Sequence, residues 1–264
     1  MAEPVVRWVG GKGRLLTELT SRVPERFAVY HEPFIGGGAL FFALRPRFAY
    51  LADANGELVN LYWVIKREPK RLMAAMAAMK VSEAEYYRIR DQDRSEAFQS
   101  AIDVDRAARF TFINKTCFNG LHRVNRQGQI NAAYGHRRNP TLFDASNVMA
   151  VHRALEGARL AHAGFEDVLR LAGHGDFVYF DPPYDGTFTG YTRGEFGRDD
   201  QRRLWEVCVK LHRIGARWML SNSDTPFIRN LFRAFRIETV QAPRMIAAKA
   251  ASRAPVTEVI VRNY

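Results

Sequence analysis

Asp181-Pro182-Pro183-Tyr184 closes the apolar run Phe177-Val178-Tyr179-Phe180, which reads as a buried strand. An acid, two prolines and an aromatic at the carboxyl end of a strand make a small, rigid pocket. The Asp181 carboxylate and the Pro182 carbonyl are two hydrogen-bond acceptors, proline fixes their direction, and Tyr184 offers a flat face. That set fits a planar substrate with an exocyclic NH2 group, which carries two donor hydrogens and a stackable ring. The same tetrapeptide also serves as an ordinary turn that stops a strand, so the rest of the chain has to decide.

A second constellation lies near the N-terminus. Phe34-Ile35-Gly36-Gly37-Gly38 follows a strand and opens a helix, and glycines there let the backbone approach a ligand closely. Asp53 closes the next strand, where a carboxylate can hold the two hydroxyls of a ribose. There is one compact glycine turn and no second nucleotide half, which points to an adenosyl group rather than a whole dinucleotide. Trp8-Val9-Gly10-Gly11-Lys12-Gly13 superficially resembles a phosphate loop. It lacks the first glycine at the required spacing, and Arg14 stands where Ser or Thr should follow the lysine, so a nucleotide triphosphatase is rejected. On its residues alone this stretch reads as a flexible loop. His and acidic residues show no metal-ligand spacing, and no metal is expected.

Composition narrows the partners. The 264 residues are 47% hydrophobic, enough for one large core or a core domain with an insertion. No apolar run approaches the roughly 18 residues that span a bilayer, and Met1-Ala2-Glu3-Pro4 lacks a signal-peptide pattern. Cys117 and Cys208 are the only cysteines, so no disulfide framework is expected and both read as buried thiols. A cytoplasmic protein with no membrane contact is the expectation. The net charge of +11 favours a polyanionic partner. Its distribution is more telling: Arg106 to Phe143 contains no acid, and Phe110, Phe112, Phe118 and Tyr134 are interleaved with its cations. An acid-free basic segment with aromatics reads as a phosphate-contacting surface.

The elements that must position these residues form two patterns. Val29–Phe34, Ala39–Leu44 and Phe48–Ala52 read as strand, helix and strand, the opening of a βαβ unit. From about Leu58 to Asp144 the pattern is helical, ending in a hairpin at Asn125–Asn131 with Gly128 in its turn. After Ala145 the α/β pattern returns. A strand is expected to run to Gly164-Phe165-Glu166, followed by the Asp181 strand, a helix at Asp199–Ile214, a strand at Trp218–Asn222, a helix at Thr225–Phe232 and two closing antiparallel strands.

Taken together, the chain resembles the DNA adenine methyltransferase (Dam) family in its α arrangement of motifs, along nearly its full length. Arg7-Trp8-Val9-Gly10-Gly11-Lys12 resembles the cofactor-clasping segment, and His31-Glu32-Pro33-Phe34-Ile35-Gly36-Gly37-Gly38 the main S-adenosylmethionine motif. Leu51-Ala52-Asp53-Ala54-Asn55 resembles the ribose-binding motif, and Asn119-Gly120-Leu121-His122-Arg123-Val124-Asn125 the DNA-reading loop. Asp181-Pro182-Pro183-Tyr184 matches the catalytic motif, and Phe188-Thr189-Gly190-Tyr191 and Ser221-Asn222 resemble later motifs. The resemblance implies a Rossmann-like S-adenosylmethionine-dependent methyltransferase fold: residues 1–57 and 145–264 as the catalytic domain, and 58–144 as a helical target-recognition domain with a basic hairpin. It implies transfer of a methyl group from S-adenosylmethionine to adenine N6 in double-stranded DNA, by base flipping and with GATC as the leading site.

Roles follow from the same resemblance. Trp8, Lys12, Glu32, Phe34, Gly36, Asp53, Phe165 and Asp181 surround the cofactor, with Glu32 at the methionine part, Asp53 at the ribose and Phe165 at the adenine. Asp181, Pro182 and Tyr184 are catalytic. Asp181 acts as an acceptor and electrostatic partner, with no need of a raised pKa. Arg7, Lys115, Phe118, Asn119, Leu121, Arg123, Arg126 and Arg137 face DNA, with Arg123 the candidate for a bidentate contact to guanine and Phe118 a wedge. His122, Val124, Ala132, Ala133 and the stretch Ala247–Ala254 depart from the commonest Dam-type loops, which weakens the inference to GATC. A companion restriction endonuclease is a further expected partner, and no obligate protein partner is expected. The rivals are an N4-cytosine methyltransferase, a catalytically silent DNA-binding protein, and a methyltransferase of RNA or a protein amide. Cytosine carbon-5 chemistry is disfavoured because neither cysteine follows a proline.

Overall fold

The computed structural model describes residues 2–99, 103–120, 123–125, 127–186, 196–242 and 256–264. A 3-10 turn at Lys12–Arg14 and α1 (Leu16–Thr20) precede β1 (Tyr30–Glu32), α2 (Ala39–Leu44) and β2 (Ala49–Asp53). Helices α3 (Gly56–Arg67), α4 (Pro69–Ala77), α5 (Glu83–Arg90), α6 (Glu96–Gln99), α7 (Asp103–Thr116) and α8 (Ala145–Ala154) lie between β2 and β3 (Ala158–His162). Then come β4 (Phe177–Phe180), α9 (Arg198–Arg213), β5 (Arg217–Ser223), α10 (Pro226–Leu231), β6 (Arg236–Ala242) and β7 (Val256–Arg262).

The strands form one sheet in the order β3-β2-β1-β4-β5-β7-β6. The first five are parallel, and β7 lies antiparallel between β5 and β6. This is a Rossmann-like, doubly wound sheet whose strand order reverses between β1 and β4, the place where sheets of this kind bind ligands at their carboxyl ends. The run at β4 is apolar throughout because both faces are covered. Phe177 and Tyr179 enter the core beneath α2, α3 and α7, whereas Val178 and Phe180 enter the core beneath α9 and α10. The long helix α9 earns its place with one apolar stripe, Leu204, Val207, Cys208 and Leu211, all buried. Asn55 caps α3 by accepting from the Leu58 N–H at 3.0 Å, and Thr225 caps α10, a contact worth about 1 kcal/mol in each case.

The segment between β2 and β3 divides by its packing. Helices α3 and α4 and the start of α7 share the main core with the sheet. A satellite core gathers Tyr86, Ile89, Phe112, Ile113, Cys117, Ile130 and Ala132. The hairpin stands beside it: Val124 bridges Ile130, and Gly128, at φ +83°, donates to the Asn125 carbonyl at 2.9 Å. Cys117 and Cys208 are buried, as the composition implied, and burial pushes the Cys117 thiol up to about 11.

Three local readings are corrected. The third strand stops at His162, and Phe165 opens a 3-10 helix because its ring leaves the ladder to pack on Phe34. The glycine-rich stretch from Trp8 is not a flexible loop: Gly11 donates to the Trp8 carbonyl at 3.1 Å, and Lys12 is only 6% exposed. The acid-free segment is not uniformly phosphate-facing either. Arg106 pairs with Glu57, and Arg109 is buried against Asp93 at 2.9 Å while donating to the Ile89 and Arg90 carbonyls. Among the described residues, no helix is long and apolar enough to cross a membrane.

Candidate active site

The parallel register brings the carboxyl ends of four strands to one edge. Tyr30 pairs with Ala49 and with Phe177, so Glu32, Asp53 and Asp181 emerge side by side. Between β1 and α2 the glycine turn takes conformations that side chains rarely adopt, with φ +46° at Gly36 and +70° at Gly38. Gly36 is fixed at both ends. Its N–H donates to Asp53 Oδ2 at 3.0 Å, and its carbonyl accepts from the Tyr62 hydroxyl at 2.9 Å. The Trp8 indole lies so close over it that a Cβ at Gly36 would meet Trp8 Cδ1 at 2.6 Å. The other Asp53 oxygen accepts from the Asn55 N–H at 2.9 Å. Beyond β3, Phe165 stacks on Phe34 with ring centroids 5.4 Å apart, and Phe196 meets both rings edge-on.

The edge is electrostatically loaded. Glu32 is buried and accepts from the Tyr30 hydroxyl at 2.9 Å; burial, reinforced by the negative charges of Asp181 and Asp53, holds its pKa well above the usual carboxylate range. Burial pushes Asp53 up to about 6 against the N–H groups that stabilise its charge. Asp181 is raised as well, by burial, although Lys12 opposes this. Lys12 Nζ lies 2.6 Å from Asp181 Oδ1, 2.6 Å from the Gly10 carbonyl, and 4.7 Å from the Tyr184 ring centroid. Of these acids only Asp181 is paired with an ammonium group, that of Lys12, and Glu32 feels the negative charges of both Asp181 and Asp53. Such a pocket favours a ligand that brings positive charge.

The loop after β4 is held from behind. Gln201 on α9 donates to the Pro183 carbonyl at 2.9 Å and accepts from Asn222 of β5 at 3.0 Å. Asn222 accepts from the Asp185 N–H at 3.1 Å, and Thr225 donates to Asp185 Oδ2 at 2.8 Å. The Tyr184 hydroxyl donates to Glu258 of β7 at 2.5 Å. Against this, the Pro182 carbonyl and Asp181 Oδ2 have no hydrogen-bond partner among the described residues. They are the two acceptors that the motif led us to expect. Gln201 and Glu258 were not anticipated, because each reaches the loop only through the folded sheet.

The residues expected at DNA are spread more widely. Phe118 is 58% exposed beside Asn119, which is left-handed at φ +57°. Arg123 is exposed, and its Nε donates to Asn131 at 3.0 Å. The Arg7 side chain packs against Gly120, where a Cβ would lie 2.6 Å from Arg7 Cδ. Lys115 is half-buried, and burial lowers its pKa. Arg137 lines a cavity of about 360 Å³ with Arg138, Tyr134, Val81, Asn139, Pro140 and Thr141. Leu121, His122 and Arg126 lie outside the described residues, as do Phe188-Thr189-Gly190-Tyr191 and Ala247–Ala254.

Comparison with known proteins decides the family. Residues 8–246 match the family of D12 class N6 adenine-specific DNA methyltransferases. The chain belongs to this family. A Type II methyltransferase of Lactococcus lactis subsp. cremoris is 38% identical, over 99% of this chain and 95% of that protein. A Type II methyltransferase of Methanocaldococcus jannaschii is 35% identical, over 99% of each chain. The retron Ec67 DNA adenine methylase of Escherichia coli is 32% identical, over 97% of this chain and 90% of that protein. The resemblance to DNA adenine methyltransferases is borne out. The D12 class chain is an adenine-specific DNA methyltransferase, and its substrate is DNA.

Proposed function

We propose that this D12 class enzyme takes its methyl group from S-adenosylmethionine and delivers it to an adenine flipped out of duplex DNA. The observation that carries this reading is the pair of unpartnered acceptors, Asp181 Oδ2 and the Pro182 carbonyl, on a loop whose other polar groups are held from behind. The adenine amino nitrogen is a poor nucleophile because its lone pair is delocalised into the ring. Donating its two hydrogens to these acceptors favours a more tetrahedral nitrogen with the lone pair free. Tyr184, held by Glu258, offers the face on which the flipped base stacks, worth roughly 1–3 kcal/mol against the cost of unstacking.

The donor set fits the cofactor. Asp53 accepts the ribose hydroxyls, the Gly36 turn admits the backbone close to it, and Trp8, Phe34 and Phe165 supply apolar walls. When bound, S-adenosylmethionine supplies an electrophilic methyl on a cationic sulfur. Asp181 offsets that charge and the charge developing on the amino group, and Glu32 lies at the methionine part. Purified chain incubated with methyl-labelled S-adenosylmethionine and duplex DNA is expected to place label in N6-methyladenine. Label on cytosine, or none on DNA, overturns the reading.

Target recognition is assigned to residues 58–144, with the rest as the catalytic domain. The satellite core supports this, and α3, α4 and the start of α7 then form the attachment to the sheet. Arg123 at the hairpin is assigned to a guanine of GATC. Arg123→Ala is expected to cut discrimination against a changed guanine by about 5- to 150-fold, the worth of one bidentate pair. Methylation rates on matched and mismatched duplexes test it; an equal fall on every sequence makes Arg123 a phosphate contact instead. The Type II naming of two relatives supports a companion restriction endonuclease. A neighbouring gene for a nuclease that spares DNA methylated by this chain is the expected finding, and its absence removes that partner.

A further inference from the structure

Asn114 sits near the end of α7, 2% exposed, and its side chain does not serve its own helix. Its Oδ1 accepts the Arg7 N–H at 2.8 Å, and its Nδ2 donates to the Arg7 carbonyl at 2.8 Å. An amide offers one acceptor and one donor in a single plane, so it engages both polar groups of one peptide residue as a neighbouring strand would. The chain held this way touches three parts of the site within six residues. Arg7 packs on Gly120 of the recognition loop, and Trp8 lies over Gly36 and beside Phe110 of α7 itself. After the Trp8–Gly11 turn, Lys12 reaches Asp181 at 2.6 Å.

A second amide makes the same pattern farther from the site. Asn147 on α8 accepts the Glu3 N–H at 2.9 Å and donates to the Glu3 carbonyl at 3.0 Å. The N-terminal segment is thus stitched twice, and only the Asn114 stitch ties α7 to the residues that reach Gly36 and Asp181.

We propose that Asn114 is a positioning residue that locks the Arg7–Lys12 strap to α7, so that DNA seated on the 118–120 loop tightens the pocket around the cofactor. The proposal rests on the reading of the pocket as an S-adenosylmethionine site. A strap anchored at Arg7 moves with the loop that Arg7 contacts. Trp8 and Lys12 then carry that movement to Gly36 and Asp181. Freed from Asn114, the strap still closes the pocket but no longer reports what lies on the loop.

The experiment is the dissociation constant of S-adenosylhomocysteine, read with and without a saturating duplex that carries the motif this enzyme methylates. In the wild-type protein DNA is expected to tighten binding by about 5-fold or more. Asn114→Ala is expected to bring that ratio to within about 2-fold of unity, and Asn147→Ala to leave it at the wild-type value. A ratio kept by Asn114→Ala, or lost equally in both variants, overturns the proposal. Should Asn114→Ala fail to fold, hydrogen exchange of the wild-type protein decides: amides of residues 7–12 gain protection when DNA binds, or the proposal falls. A wild-type protein that binds no S-adenosylhomocysteine and methylates no DNA refutes the pocket reading itself. Binding and transfer without coupling refute Asn114 alone.

Discussion

Asp181→Asn lowers kcat for methyl transfer by roughly 10²- to 10³-fold, the loss expected when one preorganised electrostatic group is removed from the reacting centre. The substitution keeps the shape of the side chain and one acceptor oxygen, but it removes the negative charge and turns one acceptor into a donor. That donor would face the amino hydrogens of the substrate or the ammonium group of Lys12, which lies 2.6 Å from Asp181 in the wild-type protein. Because the interaction matters most where positive charge develops, kcat should fall with little change in KM for DNA. Cofactor affinity should move far less than the rate. Single-turnover rates and a binding titration on the same variant measure both, and a rate within about 10-fold of wild type contradicts the role given to Asp181.

Asp53→Ala weakens S-adenosylmethionine binding by about 100-fold, the worth of one or two hydrogen bonds to a charged acceptor. The carboxylate also accepts from the Gly36 and Asn55 N–H groups, so its loss loosens the glycine turn as well. A pH titration of the wild-type protein beside Asp53→Asn isolates the charge, because Glu32 and Asp181, also raised by burial, titrate in both proteins. Burial raises Asp53 from its ordinary 3.8 to about 6. Cofactor affinity should be flat above about pH 6 and fall below it as the carboxylate becomes a carboxyl. The effect on stability has the opposite sign. With the folded value above the ordinary one, ionised Asp53 costs the free protein stability above about pH 6, and that cost fades as the pH drops toward 3.8. Lost binding on acidification is therefore not lost folding at this group. Calorimetric titration between pH 5 and 8 checks it; an affinity that does not fall below pH 6 removes Asp53 from the ribose.

What the sequence revealed of this site is what lies at strand ends. Asp53 and Asp181 each close an apolar run, and a parallel sheet brings such ends to one edge without further information, whereas Glu32 lay inside the expected strand Val29–Phe34 and was legible only through the family motif. The glycine turn was legible for the same reason: its backbone angles need glycine whatever surrounds it. The backing of the site was not legible. Glu258 lies 74 residues from Tyr184, and Gln201 lies 18 from Pro183, on a helix whose pattern reports only its buried stripe. Asn114 reaches across 107 residues to a main chain, a partner that no side-chain motif encodes. The basic stretch misled in the opposite way. The acids that neutralise Arg106 and Arg109, Glu57 and Asp93, lie outside the segment, so a local count of charge saw cations where the fold makes ion pairs.

Single-molecule sequencing of DNA shows whether the Asp181–Tyr184 edge methylates adenine. The DNA would come from a methylation-free host carrying either the wild-type chain or Asp181→Asn. N6-methyladenine at one short motif is expected with the wild-type chain, and a loss of that signal with the variant. No modified adenine with the wild-type chain, N4-methylcytosine in its place, or an undiminished signal with Asp181→Asn would contradict that expectation.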